Sequence, residues 1–100
     1  MLSLNEQDKN ILMDILGRLA TGYEIWAFGS RVTGNNQPFS DLDICLKPIY
    51  PQQGDDFGIL EILREEFENS NLSIFVDIVV YSRLSDEFKE IIKNSAIRLL

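Results

Sequence analysis

The spacing of apolar residues along the chain changes between a helical and a strand period, which predicts a mixture of helices and strands. Between Ile11 and Leu19 the apolar residues recur every three or four positions, as they do on one face of a helix. Ser3 with Glu6 predicts a capping box at the start of this helix. The helix should end near Thr21-Gly22, because glycine permits a helix stop. The chain is therefore expected to begin with an amphipathic helix.

Two short strands are predicted next, separated by about a dozen residues. Tyr23–Phe28 is rich in strand-forming residues. In the second strand, Asp41–Leu46, the apolar side chains of Leu42, Ile44 and Leu46 alternate with those of Asp41, Asp43 and Cys45. The connection is too long for a tight hairpin, and we expect a single helical turn near Val32–Gly34 followed by loop.

The second half of the chain predicts a helix, a strand and a last helix. Asp55 or Asp56 can cap a helix that runs to about Asn69. The apolar run Ser73–Tyr81 predicts a central strand buried on both faces. Ser85 can cap the last helix, whose apolar stripe is Phe88, Ile91, Ile92, Ala96 and Leu99. The order indicates one small α/β domain over residues 1–100, with helices over a short sheet.

The composition is that of an ordinary globular protein. Its 100 residues allow one modest core, and 45% are apolar and 25% charged. The single Cys45 cannot form an internal disulfide, which favours a reducing, cytoplasmic location. No apolar run approaches the length of a membrane span, and Met1–Glu6 lacks the basic start of a signal peptide. Membrane association is therefore not expected.

Charge narrows the classes of partner and of chemistry. Nine Lys and Arg stand against sixteen Asp and Glu, which gives a net charge of −7. Direct binding of nucleic acid normally needs a basic face, so we do not expect it. An acidic surface favours a basic protein partner instead. Because the chain has no histidine, acid–base work must fall to carboxylates, Lys, Tyr or water.

The spacing of Gly29-Ser30 and Asp41-Leu42-Asp43 is the strongest chemical signal. On a strand the side chains of Asp41 and Asp43 leave the same face, where two carboxylates repel each other without a counter-charge. A divalent cation supplies that charge, and Mg²⁺ suits such hard oxygen ligands together with substrate phosphates. Gly29 would let the backbone approach a phosphate, and Ser30 offers a hydroxyl and an N–H. Taken separately, the turn and the pair could be a plain strand end and a polar strand face.

Asp77, Arg31 and Ser40 are weaker candidates. Asp77 lies in the apolar run Ile74–Val80, where an ionised carboxylate needs a partner or a metal. It could instead face solvent on a half-exposed strand or pair with a distant arginine. Arg31 could reach a phosphate or neutralise an acidic neighbour, and Ser40 could bind a phosphate or cap a loop.

Cys45 is expected to pack, and Tyr23, Trp26 and Phe28 to belong to the core rather than to stack on a base.

Residues 26–46, WAFGSRVTGNNQPFSDLDICL, resemble the signature of the DNA polymerase beta-like nucleotidyltransferases. The whole chain is similar to the smallest members, the minimal nucleotidyltransferases. The resemblance implies a mixed sheet of about three to four strands with the three acidic residues on one face. It implies that Gly29 and Ser30 bind the nucleotide, with Arg31 and Ser40 as further candidates for this role. It also implies that Asp41, Asp43 and Asp77 are catalytic and bind two Mg²⁺ ions.

The resemblance also implies a substrate and a partner. Minimal nucleotidyltransferases are commonly paired with a helical HEPN toxin, to which they transfer AMP from ATP at a tyrosine. The chain would then be the antitoxin of a type VII-like toxin–antitoxin pair. Two alternatives stay open: a non-catalytic module that masks its partner, and an aminoglycoside-type nucleotidyltransferase with a separate acceptor subunit. The helix faces could pair with a partner or with a copy of the chain as a homodimer.

Overall fold

The structure is a computed structural model that describes residues 2–50 and 56–100. Its helices are α1 (Glu6–Leu19), α2 (Ser30–Thr33), α3 (Asp56–Glu68) and α4 (Asp86–Ser95). Its strands are β1 (Tyr23–Phe28), β2 (Leu42–Pro48), β3 (Val76–Val80) and β4 (Ile97–Arg98), with a 3₁₀ turn at Tyr81–Arg83. None of the described helices is long and apolar enough to cross a membrane.

The strands form one mixed sheet in the order β3-β2-β1-β4. β1 is antiparallel to both β2 and β4, whereas β2 and β3 are parallel. A parallel pair needs a long crossover, and α3 lies in that connection. The small α+β domain with a mixed sheet that the sequence predicted is confirmed.

The main core lies between one face of the sheet and the helices α1 and α3. Alternate residues of β1, β2 and β3 are buried against these helices, because side chains along a strand leave opposite faces. The largest fully buried side chains are Leu12, Leu16, Ile25, Leu42, Ile44, Leu46 and Leu63. Each stabilises the fold by about 1.5–3 kcal/mol relative to an exposed side chain. The strands are thus held rigidly from one side, and their other face is left for chemistry.

α4 covers only part of that second face. The rings of Phe28 and Phe88 meet edge to face with centroids 5.5 Å apart, and Ile92 is buried. Ser85 caps the helix as predicted, since its hydroxyl accepts a hydrogen bond from the N–H of Phe88. Because α4 packs on β1, the start of β2 and the middle of β3 stay accessible.

The beginning of α1 differs from the prediction. Asn5 is the N-cap, and its side-chain oxygen accepts from the N–H of Asp8 at 2.7 Å. The predicted cap Ser3 instead pairs with Arg31, donating its N–H to the Arg31 carbonyl at 2.7 Å. Asn and Ser are equally good caps, so the tertiary pairing of Ser3 decides the start of the helix. The helix ends at Leu19, close to the predicted stop.

The prediction of a central β3 buried on both faces is wrong. β3 is a five-residue edge strand in which buried and more exposed positions alternate. The apolar run is longer than the strand, and Phe75 just before it is 54% exposed. The run is apolar because it packs on α3, while its second face lies beyond the reach of α4.

The end of the chain also differs from the prediction. α4 ends at Ser95, and the next residues form the two-residue strand β4 on the edge of β1. Leu99, expected on the helix, donates its N–H to the carbonyl of Ile25 at 2.7 Å. Helical and extended apolar patterns are hard to separate over four residues. The predicted cap Asp55 lies outside the described residues, and Asp56 is the first residue of α3.

Candidate active site

Asp43 and Asp77 lie side by side on the open face of the sheet. They are register partners across the parallel pair β2–β3, so their side chains leave the same face of strands about 4.8 Å apart. Asp43 is also opposite Phe28 of β1, the residue before Gly29. The sheet register therefore brings the predicted acidic residues and the predicted phosphate turn to one place.

Gly29 passes directly against the carboxylate of Asp43. A Cβ on Gly29 would clash with Oδ2 of Asp43 and would lie 3.3 Å from its Cγ. The residue has φ +82° and ψ −159°, a region that essentially only glycine occupies. On the sequence alone, the close approach of a phosphate explains this glycine. The structure adds a second reason, namely that the carboxylate needs the space.

The electrostatics of Asp43 match a site built for a cation. Its pKa is raised above the usual value, chiefly because burial disfavours the charged form, and further by the charges of Asp77 and Asp41. Both neighbours thus contribute to the potential at Asp43. A carboxylate with a raised pKa and two negative neighbours gains most when a positive ion is added.

Asp41 stands one residue before β2 and is exposed. Within residues 2–50 and 56–100, no three His, Cys, Asp or Glu side chains are gathered closely enough to hold a metal by themselves. The oxygen donors do fit Mg²⁺, which usually takes one or two carboxylates and completes its shell with substrate phosphates and water. Asp43 and Asp77, with Asp41 at the rim, are the residues that would hold such an ion.

Asp77 is exposed rather than enclosed by the apolar run around it. The chain therefore places this carboxylate on a half-exposed strand, which was one of the two expectations. The same exposure leaves it accessible to a ligand beside Asp43. Its assignment as a metal-binding and catalytic residue stays a prediction, now supported by its register with Asp43.

The side chain of Arg31 does not face a phosphate site. It is buried, and its guanidinium donates to three backbone carbonyls: Ser40 at 2.8 Å, Ser3 at 2.8 Å and Pro38 at 3.0 Å. Arginine suits this place because its planar fork carries several donors in a fixed geometry. The side chain thus fastens the α2–β2 loop to the segment before α1. Any contact of Arg31 with a nucleotide would come from its backbone N–H.

The two serines have different surroundings. The hydroxyl of Ser40 accepts from the N–H of Gln37 at 2.8 Å, so it caps the loop, the alternative expected for it. Ser30 begins α2, and its carbonyl accepts from the N–H of Gly34 at 2.9 Å. The N–H groups at a helix start attract anions. A phosphate role for Ser30 stays a prediction, supported by this position beside Asp43.

The neighbours on the same face are packing residues. Cys45 is fully buried, and burial raises the pKa of its thiol to about 11, an effect that Lys47 partly offsets. Tyr23 is buried on the core side, as expected. The expectation that Trp26 and Phe28 belong to the core is wrong, because both are partly buried on the opposite face of the sheet, on the side of α4. A buried thiol with a raised pKa is inert, which agrees with the packing role predicted for Cys45.

Phe39 is an aromatic residue that the sequence did not suggest for the site. Its side chain is 89% exposed in the loop just before Ser40 and Asp41. The available signal was a large apolar residue inside the polar segment Asn35–Asp41. An aromatic ring that projects into solvent beside carboxylates is a surface that a substrate or a protein can cover.

Comparison with known proteins establishes the family. The model of the nucleotidyltransferase domain matches residues 9–99. The chain belongs to this family. It is also 36% identical over 93 residues to "Probable protein adenylyltransferase MntA" of Haemophilus influenzae, covering 93% of this chain and 79% of that protein. The resemblance seen in residues 26–46 is thus confirmed over nearly the whole chain.

Solved structures of similar fold come from toxin–antitoxin complexes. The nucleotidyltransferase superimposes with a TM-score of 0.71 on a chain of a toxin–antitoxin crystallised with AMP-PNP, at 22% identity, covering 92% of this chain and 72% of that one. It superimposes with a TM-score of 0.64 on a chain of the toxin–antitoxin MntA-HepT, at 18% identity, covering 96% and 72%. At these identities the likeness shows the fold.

Proposed function

We propose that this nucleotidyltransferase transfers AMP from ATP to a tyrosine hydroxyl of a partner toxin of the HEPN type, and so acts as its antitoxin. The observation that carries the proposal is the pairing of Asp43 with Asp77 in register beside the Gly29 turn. The 36% sequence identity to a probable protein adenylyltransferase, over 93% of this chain, supports a protein as the acceptor. The reduced, buried thiol of Cys45 agrees with a cytoplasmic location.

The residues can carry the transfer in the following way. The turn at Gly29-Ser30 holds the triphosphate through backbone N–H groups and the Ser30 hydroxyl. The tyrosine oxygen attacks the α-phosphorus, the bond to the bridging oxygen of the leaving pyrophosphate breaks, and the phenolic proton passes to Asp77 directly or through water. Two Mg²⁺ ions, held by Asp41, Asp43 and Asp77, would neutralise the charge that develops on the phosphates. Positioning and electrostatics suffice for chemistry of this kind.

The experiment is to isolate the tagged chain with the protein that it binds and to measure intact masses after adding Mg²⁺ and ATP. A partner heavier by whole AMP units is the expected result. Asp41→Ala with Asp43→Ala should abolish the added mass and leave the fold intact by circular dichroism. The matched control is Asp14→Ala with Glu61→Ala, which removes two exposed surface carboxylates. Transfer by the Asp41/Asp43 double variant would refute the catalytic assignment.

A second function, masking of the partner without catalysis, is favoured by one observation. No group of three carboxylates in the described part of the chain is already arranged to hold a metal. If the chain acts only by masking, the Asp41/Asp43 double variant should protect cells from the partner toxin as well as the unmodified chain does, at equal expression. A catalytic antitoxin would lose protection in that variant. Protection by the double variant without any added mass on the partner would select masking.

A further inference from the structure

The positive charge of this acidic chain is concentrated on the sheet face that carries Asp43. The groove between α4 and the ends of β2 and β3, which we call the basic groove, has two parts. One is lined by Trp26, Lys47, Tyr81, Ile92 and Lys93, and the other by Lys47, Pro48, Asp56, Tyr81, Ser82 and Lys89. The groove comprises two adjoining cavities of about 330 and 310 Å³. The chain has nine Lys and Arg in total, and three of them lie here. A net charge of −7 therefore conceals a local cationic surface.

Aromatic rings hold these lysines in place. The Nζ atoms of Lys47 and Lys89 lie 4.9 and 5.1 Å from the centroid of the Tyr81 ring. An ammonium at this distance is attracted by the ring quadrupole. Arg98 lies in the same way 6.0 Å from the ring of Trp26, at the margin of the groove. Among the described residues, the two lysines thus contact an aromatic ring rather than a salt-bridge partner.

The three lysines of the groove form no salt bridge within the described ranges. The salt bridges found there use only Arg18 and Arg64, on the helices of the other face. Two carboxylates border the groove, and each already accepts a hydrogen bond. Glu24, the register partner of Lys47, accepts from the indole N–H of Trp26 at 3.0 Å, and Asp56, which lines the second cavity, accepts from the hydroxyl of Tyr23 at 2.8 Å. The three lysines of the groove therefore have their charge available for a ligand.

The basic groove begins close to the candidate active site. Lys47 follows Asp43 by four residues on β2, so both side chains leave the same face about 13 Å apart at 3.3 Å per residue. Four residues of an extended polypeptide span the same distance. A chain segment that lies in the groove can therefore place a nearby hydroxyl at the carboxylates.

We propose that the basic groove binds an acidic segment of the protein that accepts the nucleotide, next to its acceptor hydroxyl. This inference rests on the proposed function and adds the chemistry by which the acceptor is chosen. Carboxylates are the favoured ligands because the ring of Tyr81 already contacts two ammonium groups, so it is not free for a base to stack on. Anionic groups without rings complement the groove best.

The test uses the only tryptophan, Trp26, as a reporter inside the groove. A synthetic peptide of glutamates around one tyrosine is titrated into the full chain without nucleotide, and the fluorescence of Trp26 is followed. The peptide should bind, and binding should weaken as salt is raised. A peptide of the same length with lysines in place of glutamates should not change the fluorescence.

Matched charge reversals localise the binding. Lys89→Glu and Lys93→Glu each replace an attraction by a repulsion and should weaken peptide binding about tenfold. Lys9→Glu makes the same change of net charge on the exposed surface of α1 and should leave binding unchanged. Circular dichroism of each variant shows whether it is folded.

The outcomes separate this inference from the proposed function. The Asp41/Asp43 double variant should still bind the acidic peptide, so binding does not depend on catalysis. If no protein receives AMP, but the acidic peptide binds the unmodified chain and not Lys89→Glu, then the groove is a site for acidic peptides and the proposed function fails. Equal loss of affinity in Lys9→Glu and Lys89→Glu would overturn it, as would binding of a single-stranded oligonucleotide in preference to the acidic peptide.

Discussion

Replacing Gly29 by alanine tests the geometry of the site most directly. The alanine would have to adopt φ +82° and ψ −159°, at a cost of about 1–3 kcal/mol. Its Cβ would also clash with the carboxylate of Asp43, and overpacking of this kind costs roughly 1–3 kcal/mol. Together the two effects predict a loss of about 2–6 kcal/mol. At about 4 kcal/mol, the melting temperature of a domain of this size should fall by roughly 16–32 °C.

Gly34 provides the matched control for this prediction. It has φ +89° at the end of α2, and a Cβ there would meet nothing within 4 Å. Gly34→Ala should therefore suffer only the backbone penalty of about 1–2 kcal/mol. Gly17, inside α1, also has open space, and Gly17→Ala should stabilise the chain by about 0.5–1 kcal/mol.

Urea unfolding and AMP transfer, measured on all three variants, complete the test. Gly29→Ala should lose both stability and transfer, because it displaces the carboxylate of Asp43, which we propose takes part in the reaction. Gly34→Ala should lose some stability and keep transfer. The reasoning is refuted if Gly29→Ala is no less stable than Gly34→Ala, or if it transfers AMP at the rate of the unmodified chain.

Three further predictions concern single side chains. Because the pKa of Asp43 is higher in the folded than in the unfolded chain, its ionisation opposes folding, and this loss of stability develops as pH rises above the ordinary pKa of an aspartate. Asp43→Asn should therefore raise the melting temperature at pH 7 but not at pH 3. Mg²⁺ should stabilise only the unmodified chain. Equal melting temperatures of the variant and the unmodified chain at pH 7 would contradict this prediction. Arg31→Met leaves three carbonyl oxygens without their donor and should destabilise the chain by about 3 kcal/mol in urea unfolding, whereas Arg18→Met on the exposed surface should change stability by less than about 1 kcal/mol. Cys45 is buried and its pKa is about 11, so it should react with a thiol reagent at pH 8 only as fast as the chain unfolds. If urea does not accelerate the labelling, the thiol is accessible in the folded chain.

The sequence predicted the site better than it predicted the edges of the sheet. Gly29, Asp41 and Asp43 are close in sequence, and the alternation of β2 fixes which side chains share a face. Asp77 is far away in the chain, and only its strand context pointed to the same place. The register of β2 with β3 confirms that it lies beside Asp43.

The parts that could not be predicted depend on tertiary contacts. The guanidinium of Arg31 is held by three carbonyls from two separate segments, and no local pattern reveals such a contact. The same holds for Asp8, buried in α1, which accepts from the N–H of Ser73 at 3.0 Å across 65 residues of chain. The two-residue strand β4 is too short for any periodicity to show.

Because β3 lies at the edge of the sheet, Asp77 also affects whether the protein associates with itself. Among the described strands only β2 pairs with β3, and Asp77 is the only charged residue between Ser73 and Tyr81. A charge in the middle of an apolar edge strand hinders the pairing of one molecule with the next. Removal of this carboxylate should therefore promote self-association of the protein, in addition to abolishing the proposed AMP transfer. In a relative that has given up catalysis, selection for solubility alone would keep an acidic residue here, so the pair Asp41 and Asp43 is the better indicator of an active enzyme.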